Sequence, residues 1–192
     1  MKEHIEIEYK ILISQELFQI ILKDYQSQIQ QNYFQTNYYF THPLLTQKKM
    51  MLRIREKKDQ LEMTLKRPYQ NHRLETNIHI TQDIMERFLQ HQDISNEIVD
   101  ILKSENIDPA QLQQEFSLTT HRYDIPLPQG LLSLDENVYL DQYDYELEFE
   151  VNHEEEGYKT FLDIISPYQL HYRGNCLSKV QRAYLALKNA SQ

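Results

Sequence analysis

The sequence predicts an α+β protein built on an antiparallel sheet, and three observations carry that expectation. Apolar and charged residues alternate with a period of two in many short runs, as in "IEIEYK" at residues 5–10 and "YELEFEV" at 145–151. That period belongs to a strand, whose successive side chains leave on opposite faces. Amphipathic segments of helical period lie between these runs. Several runs follow one another across connections of only a few polar residues, which suits hairpins.

Eight runs read as strands. They span residues 3–12, 31–41 ("QNYFQTNYYFT"), 51–57 ("MLRIREK"), 60–67 ("QLEMTLKR"), 73–80 ("RLETNIHI"), 116–125 ("FSLTTHRYDI"), 130–137 ("GLLSLDEN") and 145–151. Lys58–Asp59 and Pro68–His72 are the expected turns, although neither carries an Asn-Gly pair. The 14 tyrosines fall mostly in these runs, as β-propensity favours. Helices are expected elsewhere. Ser14 caps a segment that places Leu17, Phe18, Ile21, Leu22 and Tyr25 on one face. Thr81 opens "TQDIMERFLQH", and "ISNEIVDILKSE" follows it. Asp108-Pro109 starts a short helix with proline at its first position. Residues 153–165 and 176–189 complete the set. With 3 Gly, 6 Pro and no Ser/Gly-rich linker, the expectation is one domain over residues 1–192.

Composition narrows the function. A 40% hydrophobic content in 192 residues is enough for a real core. A net charge of -9 repels phosphate backbones at long range, so general nucleic-acid binding is not expected. The lone Cys176 has no intramolecular partner, which fits a reducing compartment. No apolar run approaches the roughly 18 residues that span a bilayer, and the N-terminus has no signal-peptide core. The chain is therefore expected in the cytoplasm and away from membranes. Its oligomeric state is left open.

The parity of the strands concentrates charge on one face. Arg53, Arg55 and Lys57 oppose Leu52 and Ile54. Glu62, Thr64 and Lys66 oppose Leu61, Met63 and Leu65. Arg73, Glu75, Asn77 and His79 oppose Leu74, Ile78 and Ile80. Glu146, Glu148 and Glu150 oppose Tyr145, Leu147, Phe149 and Val151, and Arg122 and Asp124 oppose Tyr123 and Ile125. Basic residues gather near 53–66, acidic ones near 146–150, and both occur at 6–10. Two arrangements fit. The charged faces meet water over an apolar core, or the sheet closes with its charges inside and helices over its apolar outside. The second accounts for the many amphipathic helices. It needs a ligand or water to satisfy the charges, because buried unpaired charge is costly.

"EIEYK" resembles the ExExK signature of the CYTH domain, the triphosphate tunnel metalloenzyme family. "NYYFTH", the RxR of "LRIRE", "TLK", the RxE of "RLE", the arginine of "TTHRY", the acidic "YELEFE" and "SKVQRAY" follow in the family's order. Together they cover nearly the whole chain, and the layout is most similar to bacterial stand-alone CYTH proteins. The resemblance implies an eight-stranded antiparallel β-barrel forming a tunnel with a charged interior, flanked by amphipathic helices. It also implies a small triphosphate-containing substrate bound with Mg²⁺ or Mn²⁺.

The charges suit that chemistry. Arg53 and Arg55 offer planar forks to phosphoryl oxygens, and Lys10, Lys66, Arg73 and Arg122 add cations from other strands. Lys179 and Arg182 share a helix face and complete the substrate-binding set. Glu6 and Glu8 form half of a metal site, and Glu146, Glu148 and Glu150 the other half. Glu6, Glu8, Lys10 and Glu148 are the candidate catalytic residues. His4, His79 and His121 read as hydrogen-bonded bystanders. The reading is a metal-dependent phosphohydrolase that cleaves inorganic triphosphate or a small organic triphosphate. The alternatives are an adenylyl cyclase of the class IV type and a non-catalytic module that binds polyphosphate or nucleotide. For a purely structural protein the same charges would pair strand to strand.

Overall fold

The structure is a computed structural model that describes residues 2–190, with side chains described from residue 6. The side chain of His4 therefore lies outside the described residues. In chain order the elements are β1 (Lys2–Glu6), β2 (Glu8–Ile13), α1 (Gln15–Asp24), β3 (Gln31–Thr41), α2 (Pro43–Gln47), β4 (Met51–Lys57), β5 (Gln60–Tyr69) and β6 (His72–Ile80). There follow α3 (Gln82–Leu89), α4 (Glu97–Ser104), β7 (Gln113–Leu127), β8 (Gly130–Tyr139), β9 (Gln142–Val151), α5 (Glu154–Ile165) and α6 (Lys179–Ala190). The pairings with residue register given below are all antiparallel, and the hydrogen-bonded strand order is β1-β6-β5-β4-β3-β7-β8-β9-β2. This is the α+β, antiparallel class that the alternation predicts.

The strand count differs at one place. The expected first strand, 3–12, is two strands that change partners at Ile7. β1 pairs with β6, Glu6 lying opposite Arg73, and β2 pairs with β9, Lys10 lying opposite Glu148. Alternation cannot reveal such a change, because both strands keep the same pleat. β1 and β2 stand at the two ends of the strand order, yet they are consecutive in the chain. The hairpin between β4 and β5 turns on Lys58 and Asp59, as expected. Both residues have positive φ, 49° and 61°, the left-handed geometry of a two-residue hairpin loop made without glycine. The next turn is tighter than the expected Pro68–His72, since β5 extends through Tyr69 and β6 starts at His72.

The contacts divide the chain into two compact units. One holds residues 2–6 and 35–117, the other 7–34 and 118–190, and β3 and β7 run through both. In the first unit the apolar face of the sheet carries Leu52, Ile54, Leu61, Met63, Leu65 and Ile78, all buried. Met85 and Phe88 of α3 and Ile98, Val99 and Leu102 of α4 belong to the same cluster. In the second unit Ile125, Leu132, Leu134, Leu147 and Phe149 form the apolar face. They cluster with Phe18 and Ile21 of α1 and with Phe161, Ile164 and Ile165 of α5. Helices thus cover the apolar face within each unit, which leaves the charged face on the other side of the pleat.

The caps expected from sequence at Ser14 and Thr81 form, their side chains accepting from the backbone N–H groups of Leu17 and Ile84. Asn96 caps α4 in the same way, accepting from the Val99 N–H. The proline at 109 opens only a single 3-10 turn, Pro109–Gln111, before β7 starts.

Candidate functional site

In the first unit the charged face is set by register. Arg53 lies opposite Tyr39 and Thr64, and Arg55 opposite Asn37 and Glu62. Lys66 lies opposite Glu75 on β6. Arg53 is buried, 8% exposed, and one of its terminal nitrogens is 3.8 Å from Glu75. Its Nε has no hydrogen-bond partner, so a buried guanidinium donor is left unsatisfied. Burial works against its charge, but Glu75, Tyr39 and Glu6 outweigh burial and raise its pKa. Arg55 donates from Nε to the Asn37 side chain at 3.1 Å. Lys66 pairs with Glu6, and with Glu75 at 2.8 Å. Glu75 is buried, yet Lys66 and Arg53 overcome that burial and hold its pKa down at about 2. Arg73 is the outlier of the set. It is exposed, and its guanidinium donates to the Lys49 carbonyl at 2.5 Å.

The second unit holds a denser cluster. On the charged face Arg122 of β7 lies opposite Asp135 of β8, Asp135 opposite Glu146 of β9, and Glu148 opposite both Ser133 and Lys10. Glu150 continues that face, opposite Glu8 and Leu131. Arg122 grips Asp135 with two hydrogen bonds, 2.8 and 2.6 Å, and reaches Glu148 at 3.0 Å. This fork is the bidentate geometry that a lysine cannot make. Lys179, the first residue of α6, pairs with Asp135 at 2.8 Å, with Glu148 at 2.7 Å and with Glu146. Lys10 pairs with Glu8. Below the apex, Arg182 binds Asp144 through two nitrogens at 2.7 and 3.0 Å and Glu146 at 2.6 Å, and donates to the Leu177 carbonyl at 2.5 Å.

Among the described residues, Asp135, Glu146 and Glu148 have ligand oxygens within 4.8 Å of one another. Asp135 and Glu146 are fully buried. Burial alone would raise the pKa of such carboxyls. For Asp135, Arg122 and Lys179 outweigh it and push the pKa down. For Glu148, Lys179, Arg122 and Lys10 do the same more strongly. In return these carboxylates raise the pKa of Lys10, Lys179 and Arg122 against the cost of their burial. Asp135 and Glu148 are therefore held ionised, as are the three cations. The nearby Cys176 thiol is pushed up to about 12 by burial and by Glu146, so it stays a neutral thiol.

The expected residues thus fall into two groups. Glu6, Arg53, Arg55, Lys66 and Arg73 belong to the first unit. Glu8, Lys10, Arg122, Glu146, Glu148, Glu150, Lys179 and Arg182 belong to the second. Of the five glutamates expected as metal ligands, Glu146 and Glu148 stand in the triad, while Glu6 pairs with Lys66 and Glu8 with Lys10. The third member of the triad, Asp135, escaped the sequence reading, as did Asp144, the partner of Arg182. The signal existed. Ser133, Asp135 and Asn137 alternate with Leu132, Leu134 and Val138, and Asp144 precedes Glu146 by two. His121 stacks on Phe34 at 4.1 Å, and burial lowers its pKa.

Comparison with known proteins adds four findings. A family model described as the CYTH domain matches residues 4–184. The chain is 30% identical over 191 residues to the Bacillus subtilis protein YjbK, described as a candidate triphosphatase, with 96% of each chain covered. It is 34% identical to a Bacillus halodurans protein whose crystal structure is described as a candidate adenylate cyclase, with a TM-score of 0.87 and coverage of 95% of this chain and 98% of that one. A Hippeastrum structure shares the fold at 18% identity and a TM-score of 0.77, covering 94% of this chain and 96% of that one.

Proposed function

The chain belongs to the CYTH domain family, and from that premise we propose that it is a divalent-metal-dependent hydrolase of inorganic triphosphate or a small organic triphosphate. The observation that carries this reading is the triad of buried Asp135 and Glu146 and half-buried Glu148 set among Lys10, Arg122 and Lys179. Hard oxygen donors at that spacing fit Mg²⁺ or Mn²⁺. Asp135, Glu146 and Glu148 would hold the ion, and Glu6, Glu8 and Glu150 are the further carboxylates to be tested for a share in it. When bound, such an ion would neutralise charge on a phosphoryl oxygen and polarise a water.

The other roles belong to the chain. In the second unit Lys10, Arg122 and Lys179, and in the first Arg53, Arg55 and Lys66, are the cations we assign to phosphate binding. Arg53, with a buried donor left over, is the strongest of the first unit. Arg73, exposed and bonded to the backbone, adds only a solvent-screened attraction. Arg182 is committed to Asp144 and Glu146, so we give it a positioning role. In the reaction, water oxygen bonds to the terminal phosphorus as the bond from that phosphorus to its bridging oxygen breaks. Orthophosphate leaves with pyrophosphate from inorganic triphosphate, or with the organic diphosphate from an organic one, and the proton passes to solvent. Holding the phosphates in line and offsetting their charge supplies most of the rate. Glu8 and Lys10, beside Glu148, are the remaining candidates for contact with the reacting groups.

Both units would then serve one CYTH-like domain, since the family match runs through both. None of the described helices is long and apolar enough to cross a membrane. The free thiol of Cys176 supports a cytoplasmic enzyme.

Product analysis tests the reading. With Mg²⁺ or Mn²⁺, a linear triphosphate should yield orthophosphate and pyrophosphate, and ATP should yield little cyclic AMP. The Bacillus halodurans relative gives the cyclase reading its weight. Cyclic AMP and pyrophosphate as the dominant products from ATP would establish that alternative, and binding without turnover would establish a polyphosphate-binding module.

A further inference from the structure

The centre of the carboxylate triad in the second unit is filled by the protein itself. Lys179 Nζ lies 2.8 Å from Asp135 and 2.7 Å from Glu148 and also pairs with Glu146, so one ammonium touches all three carboxylates. A divalent cation taking those oxygens at roughly 2.0–2.6 Å would need the same place. An ammonium and a divalent ion repel each other, and water is scarce there to screen them, because Asp135 and Glu146 have no exposed side-chain surface. One cation must yield.

The fold indicates which group is built to move. Arg122 stands on a sheet strand and is fixed to Asp135 by two hydrogen bonds. Lys179 stands at the end of a helix, on a flexible stem. α6 is lightly seated. Of its twelve residues only Arg182 and Ala183 are buried, while Tyr184 and Leu185 stay exposed. By contrast, α5 buries Gly157, Phe161, Ile164 and Ile165. The start of α6 is capped locally, with the Gln181 side chain accepting from the Ser178 N–H and hydroxyl, each at 3.0 Å. Arg182 retains Asp144 and Glu146 and can keep the helix on the sheet without Lys179.

We infer that Lys179 is a tethered counter-ion of the metal site, which neutralises Asp135, Glu146 and Glu148 in the metal-free protein and withdraws when a divalent cation takes them. The inference rests on the metal-dependent reading above. It adds that metal affinity is set by competition with this side chain. Once withdrawn, the ammonium is released from its three carboxylates and is available to an anionic substrate.

Two measurements on the full-length protein test it, with Mn²⁺ as the probe. Mn²⁺ affinity is read by electron paramagnetic resonance for the wild type, Lys179→Met and Glu148→Gln. Loss of the competitor should tighten binding to Lys179→Met at least tenfold, and loss of a ligand should weaken binding to Glu148→Gln. On the wild type, the reactivity of each lysine toward an amine-labelling reagent is followed by mass spectrometry with and without Mn²⁺. Lys179 should be protected without metal and labelled several times faster at saturation, while the exposed Lys159 is unchanged. Equal Mn²⁺ affinity in the wild type and Lys179→Met, or labelling of Lys179 that ignores Mn²⁺, overturns the inference and leaves the metal reading standing. Failure of the wild type to bind Mn²⁺ overturns both. Should Lys179→Met not fold, the labelling of the wild type decides alone.

Discussion

The charged faces of the two units solve different problems with the same pleat. In the first unit one buried cation is answered only loosely. Arg53 is buried with an unsatisfied Nε and meets Glu75 only at 3.8 Å, and Glu75 is shared with Lys66. In the second unit, three carboxylates crowd within 4.8 Å and every nearby cation is committed to them or to their neighbours. Spare buried donors favour an anion, and crowded carboxylates favour a cation. On the proposed function, segregation of charge by strand would separate two binding tasks. A merely structural network would pair its charges one to one and leave neither surplus.

The largest effect should come from the crowded side. Glu148→Gln keeps the shape of the side chain and removes one charge of the triad. We expect turnover of a linear triphosphate to fall by about a thousandfold, the scale of losing a principal electrostatic contact in the transition state. Stability should also fall, since Lys179, Arg122 and Lys10 attract this carboxylate more than its acidic neighbours repel it, so turnover is measured below the variant's own melting temperature. Retained turnover at saturating metal would make the triad a structural network and erase the contrast between the units.

A smaller and different effect is expected from the first unit. Arg53→Lys keeps the charge and loses the fork. Loss of one charge-assisted hydrogen bond to a phosphoryl oxygen is worth about 1.5–3 kcal/mol, which is roughly ten- to a hundredfold in KM. Mn²⁺ affinity should stay at the wild-type value. Steady-state kinetics and metal titration on the same variant check both halves, and a fall in metal affinity here would blur the two tasks into one.

Much of this contrast is legible in the sequence. Strict alternation in 51–57, 60–67 and 145–151 assigns Arg53, Arg55, Lys66, Glu146 and Glu148 to the polar face, because a strand of period two leaves no freedom in the matter. Helical amphipathicity in 15–25 and 82–89 identifies the residues that cover the other face. What alternation leaves undetermined is the choice of partner strand. Hence the break at Ile7, which gives Glu6 to β1 and Glu8 to β2, has no signature. The five-residue α2 is too short to display a helical period. Turns on Lys58, Asp59 and Leu140 lack the glycine that usually marks a left-handed position. Asp135 and Asp144 were readable by parity but stand among polar neighbours that dilute the pattern. That Lys179 sits among three carboxylates depends on distances across β8, β9 and α6, which no local pattern encodes.

The smallest effect sharpens the comparison by isolating the structural part of a buried carboxylate. Asp135 and Glu148 are held ionised by cations, but their charges also belong to the proposed metal site. Glu75 is held ionised in the same way by Lys66 and Arg53 and lies outside the triad. Its pKa falls from an ordinary 4.5 to about 2 on folding. A carboxylate depressed in the folded state contributes stability that is complete above its unfolded pKa and disappears as pH falls through its folded one. The contribution of Glu75 should be complete above about pH 5 and lost by about pH 2. It should amount to on the order of 3 kcal/mol at neutral pH, from the size of the shift. Glu75→Gln should therefore be less stable than the wild type at pH 7, and the gap should narrow steadily between pH 5 and pH 3. Urea unfolding midpoints at pH 7, 5 and 3 for both proteins measure it. A gap that stays constant with pH would mean that Glu75 contributes through packing or hydrogen bonding alone, and that only the second unit depends on ionised buried carboxylates.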